Sequence, residues 1–155
     1  MIKELRSLLL GHWLTLGRHQ SIPAPGVYII ACPQDGTNLE GKPINLSDII
    51  YVGQSMNVRD RLNKFNNSAI SGRKGHVAGQ RLFNTPLRVR SPIYFHAFAP
   101  QSGGRQTKAT QLRLIGDVIR LENYAIAEII DQIVDIPWLN KQAGGALDPR
   151  EFSLS

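Results

Sequence analysis

Tyr28 stands in a short β-type run, Val27 to Cys32, just after the breaker Pro23-Ala24-Pro25-Gly26. Tyr51 lies near the end of a second such run, Asp48 to Val52, which stops at Gly53. Arg61 follows eight residues past that glycine, on a stretch with helical spacing. Glu122 and Glu128 lie far downstream in a long helical pattern. Two phenols, a guanidinium and a carboxylate suit work on a phosphodiester. Hydrolysis there needs a divalent cation, a group that activates water and a fixed cation for the developing phosphate charge. A free phenol has a pKa near about 10, so a tyrosine acts as a base only where its surroundings favour the phenolate. Taken singly, a strand tyrosine is ordinary packing and a helix arginine an ordinary solvated charge. It is the combination that points to chemistry.

The elements that must position these groups follow from periodicity. Ile2, Leu5, Leu8, Leu9, Trp13 and Leu14 recur at helical spacing, which predicts an amphipathic helix over residues 1–16. The two β-type runs, joined by the polar segment 33–47, predict an antiparallel pair. Ser55 or Asn57 is placed to cap the next helix, on which Val58, Leu62 and Phe65 share a face and Arg61 lies at its edge. Asn66 to Gly79 reads as a basic loop or short irregular helix, and Ile93 to Phe98 as a third strand. A long helix is expected from about Gln106 to Val134, ended by Pro137. The fold class is α+β: a small three-stranded antiparallel sheet flanked by helices. The expected division is an N-terminal helix over 1–20 packed on the domain, a single domain over 21–141, and a tail over 142–155.

Composition narrows the function. The chain has 155 residues, 42% of them apolar, enough for one domain with its own core. No apolar run is long enough for a membrane span, and the N-terminus carries no small-residue cleavage pattern, so neither membrane association nor a signal peptide is expected. One cysteine, Cys32, excludes an internal disulfide and a cysteine-rich zinc site, and a reducing cytoplasmic setting is expected. Net charge is +6. From Arg59 to Arg120 there are 12 Lys or Arg against two acids, Asp60 and Asp117; from Leu121 onward six acids face Lys141 and Arg150. A one-sided basic middle is the footprint of a polyanion binder. There is no glycine-rich nucleotide loop, zinc finger or basic zipper.

The triplets "GVY" (Gly26 to Tyr28) and "YVG" (Tyr51 to Gly53), with "YVGQSMNVRDRL" carrying Arg61 eight residues after the glycine, resemble the signature of the GIY-YIG nuclease superfamily. The resemblance covers about Gly26 to Asn140 and includes the order of elements. It implies a GIY-YIG-like fold and a DNA endonuclease that uses Mg²⁺ or Mn²⁺. It implies Tyr28 as general base, Tyr51 as orienter of phosphate or water, Arg61 as phosphate clamp and a helix glutamate as metal ligand. Glu128 has the family-like interval to Pro137 and Asn140; Glu122, in "RLENYAI", has the family-like local pattern. At about 100° per residue, Glu122 falls in the stripe of Ile115, Val118, Ile119, Ile126, Ile129 and Ile133, whereas Glu128 falls off it. A carboxylate on an apolar stripe is costly unless paired or metal-bound, which favours Glu122, with Glu128 as the alternate. That choice leaves the family role of Asn140 in question.

The sequence departs from the family in two places. Many members carry a histidine one turn after the arginine; here that place is Phe65, with Lys64 or His76 as stand-ins. Also, 22 residues separate Tyr28 from Tyr51, a long insertion that contains Lys42. Gly53, Lys64, Arg73, Lys74, His76 and Arg81 are the expected nucleic-acid-binding positions. DNA is the expected partner, with RNA also open. Specificity would come from loops 33–47 and 66–90, a homodimer or a partner subunit. The alternative is a weak or inactive binding module that keeps the fold and holds nucleic acid by charge.

Overall fold

Strand alternation sets the architecture. In the computed structural model the described residues are 13–17, 24–33, 35–42, 46–85, 92–100, 107–133 and 137–141. The expected helix up to residue 12, residues 86–91 and the tail 142–155 lie outside them. Strand β2 spans Gly26–Ala31, and all six residues are buried. Val27, Ile29 and Ala31 join one apolar cluster; Tyr28, Ile30 and the following Cys32 join another. That is the period-two split of a strand covered on both faces.

Strand β3 (Ile49–Ser55) and strand β4 (Tyr94–Phe98) pair antiparallel on either side of β2. A further short strand, β1 (Leu14–Thr15), pairs with β4, so the sheet order is β1-β4-β2-β3. The sheet therefore has four strands, not the expected three. The same finding corrects the end of the expected N-terminal helix. Trp13 bridges Glu40 in parallel and its indole is fully buried, while Leu14 is exposed. Alternation about the sheet edge wins here over the helical spacing.

On one face lies α3 (Lys108–Ile133), whose Val118, Leu121, Ala125 and Ile129 pack on Val27, Ile29, Val52 and Trp13. Ile115 and Ile119 remain exposed, so the buried stripe is narrower than the sequence suggests. The other face carries α1 (Val58–Ser71), α2 (Val77–Phe83) and the short α4 (Trp138–Lys141). Asn57 caps α1, its side chain accepting from the Asp60 amide at 3.1 Å. α1 runs to Ser71, through residues expected to form a loop, and stops at Gly72 in the left-handed region (φ 67°). Packing explains the added turns. Phe65, Ser68 and Ala69 are buried, and Gly79 of α2 comes so close that a Cβ there would stand 2.8 Å from the Ser68 Cβ.

β3 is an edge strand, and α4 closes part of that edge. Asn140 accepts from the Val52 amide at 2.9 Å and donates to the Val52 carbonyl at 2.8 Å. Both polar groups of that residue are thus satisfied by one side chain. Among the described residues no helix is long and apolar enough to cross a membrane. Cys32 is buried with its thiol pushed up to about 11, mainly by burial, which leaves it a poor nucleophile.

Candidate active site

Tyr28 and Tyr51 come from neighbouring strands and meet on the α1/α2 face. Tyr28 pairs in register with Gly53, and Ile30 with Tyr51. The register then slips, Ala31 pairing with Ile49, so Ile50 is an extra residue. This bulge puts both Ile50 and Tyr51 on the same side of the sheet. The phenol of Tyr28 crosses directly over Gly53. A Cβ on Gly53 would stand 2.6 Å from the Tyr28 hydroxyl and 2.7 Å from the Tyr51 ring. Gly53 is buried and serves as the floor under the two phenols. The rings lie 6.0 Å apart, tilted by 46°.

Two helices complete the cluster. Arg61 lies on the first turn of α1, and its positive charge acts on both phenols. His76 caps α2: its Nδ1 accepts from the Gly79 amide at 3.4 Å. Its Nε2 lies 2.9 Å from the Tyr28 hydroxyl. Ser68 Oγ accepts from the His76 amide at 3.0 Å, which fixes the turn between the helices. Phe65 fills the space beside these groups, stacked on Tyr51 at 6.1 Å and edge-on to His76 at 5.0 Å. Of the two stand-ins for a histidine at position 65, His76 reaches the phenols. Lys64 points to solvent and pairs with Asp60 at 2.8 Å.

Burial dominates the electrostatics. It holds the Tyr28 phenol well above its ordinary value, helped by Tyr51 and opposed by Arg61. Tyr51, half-buried, is raised by the same cause, with Glu122 adding to it and Arg61 opposing it. His76 is pulled down to about 3, first by burial and then by Arg61, so its imidazole is neutral at ordinary pH. Glu122 is pushed up to about 7 by burial. Its charge is felt at Tyr51, which ties it to this cluster although α3 covers the opposite face of the sheet. Glu128 instead accepts from Gln132 at 2.7 Å, one turn on along α3.

A hard divalent cation fits this donor set. Oxygen donors, one carboxylate and two phenols, suit Mg²⁺ or Mn²⁺, and Mg²⁺ is commonly held by one or two carboxylates with water and substrate phosphate. Among the described residues no group of three His, Cys, Asp or Glu side chains gathers to make a closed cage. Glu122 is the residue that would hold such an ion.

The remaining expected positions divide. Arg73 and Lys74 are exposed in the turn before α2. Arg81 is half-buried, with Nη1 covered and without a hydrogen-bond partner among the described residues. His76 is 2% exposed and belongs to the buried cluster rather than to the basic surface. Asn140 is a clamp on β3. Sequence reasoning missed Ser68 altogether and the capping role of His76. The available signal was a histidine directly after Gly75 and before the helical pattern of Ala78 and Leu82. No protein-family model, curated protein or solved structure matches the chain.

Proposed function

We propose that this chain is a divalent-metal-dependent endonuclease of the GIY-YIG type that hydrolyses DNA phosphodiester bonds. One observation carries the proposal: Tyr28, Tyr51 and Arg61, remote in sequence, meet at one point within the electrostatic reach of Glu122. Arg61 would clamp the phosphate and oppose the charge that develops on it. Tyr51, the more exposed phenol, would orient phosphate or water. Tyr28 would serve as general base. Burial keeps its phenol protonated in the free protein, so the phenolate requires positive charge nearby, part of it from Arg61. A divalent cation at Glu122 would supply Lewis-acid stabilisation of the phosphoryl oxygens. Arg73 and Lys74 extend the positive surface beside the cluster and would neutralise flanking phosphates.

Burial of Tyr28 is also the observation that favours the second reading, a nucleic-acid-binding module without turnover. Cleavage of supercoiled, linear and branched DNA with Mg²⁺ or Mn²⁺ separates the two, with RNA as a parallel substrate. The endonuclease is expected to nick DNA only with metal. Arg61→Ala should lower turnover by about 10² to 10³-fold with the fold intact. Binding without cutting under any metal would establish the module instead. In that case Arg61→Ala should weaken only salt-dependent binding.

A further inference from the structure

We propose that His76 is a locked hydrogen-bond donor to Tyr28, a positioning residue that fixes the Tyr28 oxygen and turns its hydroxyl hydrogen away from the imidazole. A neutral imidazole donates from one nitrogen and accepts at the other. His76 Nδ1 faces the main-chain amide of Gly79 at 3.4 Å, and an amide can only donate. Nδ1 is therefore the unprotonated nitrogen, and Nε2 carries the hydrogen. Since Nε2 stands 2.9 Å from the Tyr28 oxygen, that bond runs from imidazole to phenol. The ring is held in this orientation. Phe65 and Tyr51 flank it with centroids at 5.0 and 5.5 Å, and the His76 amide is tied to buried Ser68. Turning the ring over would present carbon to both polar partners.

The direction propagates. The Tyr28 oxygen accepts from His76, so its own hydrogen must point elsewhere. Arg61 offers only N–H groups. The neighbouring phenol is that of Tyr51, its ring centroid 6.0 Å away. The chain thus runs from the α2 amide to the imidazole, and from Nε2–H to Tyr28. In this arrangement the imidazole cannot take the Tyr28 proton, which is the part a histidine beside a tyrosine is usually given. Its contribution is to hold the Tyr28 oxygen in place and to favour negative charge on it. The catalytic side of this inference rests on the nuclease reading; the donor assignment does not.

Two measurements test it. Long-range ¹H–¹⁵N correlation on the wild-type protein should show His76 as the Nε2–H tautomer; a protonated Nδ1 overturns the proposal. For cleavage, His76→Ser keeps a capping oxygen for α2 but cannot reach Tyr28. It should fold, and lose about tenfold to a hundredfold in kcat with KM little changed, as expected for removal of an outer hydrogen-bond partner. His76→Gln, whose amide can donate to the phenol, should recover part of the loss. Wild-type kcat in a folded His76→Ser protein would sink the positioning role. Should the wild type cut nothing with any metal, the nuclease reading fails, and the tautomer still decides the donor assignment.

Discussion

The two faces of β2 are built from different materials. Towards α3 the strand offers Val27, Ile29 and Ala31, and the layer they enter is mainly apolar, Trp13 and Tyr94 bringing one polar atom each. Towards α1 and α2 the same strand offers Tyr28, and its layer buries Ser68 and His76 among aromatic rings. Polar atoms in such a place are tolerable only when partnered, and here Tyr28, His76 and Ser68 partner one another. One face can thus be altered for stability alone, while a change on the other disturbs hydrogen-bond direction and charge together.

The largest expected effect breaks the apolar face. Ile29→Ala should cost about 2–5 kcal/mol, read as a lowered urea midpoint. Turnover per folded molecule should be unchanged; a large fall in it would mean that the faces are not separable. Gly53→Ala attacks the other face, because its methyl would press on the Tyr28 hydroxyl from 2.6 Å. About 1–3 kcal/mol of stability should go, as for overpacking. Cleavage should fall about a hundredfold, as for a misplaced reacting group; activity at the wild-type level would show that the phenols need no such floor.

Glu122 sharpens the comparison through pH. Its folded value of about 7 lies above the ordinary 4.5, so the folded protein binds the extra proton between those values. The neutral carboxyl's advantage is fully present below about pH 4.5 and is lost as pH rises through 7. Glu122→Gln should therefore match the wild type in melting temperature near pH 4.5 and exceed it at pH 8 without metal. Equal melting temperatures at pH 8 would place Glu122 in a wetter setting than its burial indicates. The smallest effect belongs to Lys64. Lys64→Ala should change stability by less than about 0.5 kcal/mol, since exposed pairs contribute little. In DNA binding it should reduce the salt slope by about one at most.

Much of this was legible in the sequence. Alternating apolar residues marked β2 and β3, the Asn57 cap was visible, and the long helix stood out by its spacing. Helical phase set Glu122 on the stripe facing the sheet, and Glu122 is half-buried on α3. What escaped is tertiary in origin. Trp13 to Leu16 fits either a helix or an edge strand, and the open edge of β4 decides between them. The turns from Asn66 to Ser71 are weak helix formers, and it is packing against α2 that winds them. Nothing local tells that His76 reaches Tyr28, because 48 positions separate them.

Asn140 leaves the sheet with one fewer place to grow. An unpaired edge strand is a template on which a second chain can lay its own strand. At Val52 that template is already used, its N–H and C=O both held by an amide side chain 88 positions away. A partner that tried to extend the sheet along β3 would first have to displace α4. Strand addition along β3, the strand that carries Tyr51, is therefore blocked at Val52 for as long as α4 stays in place.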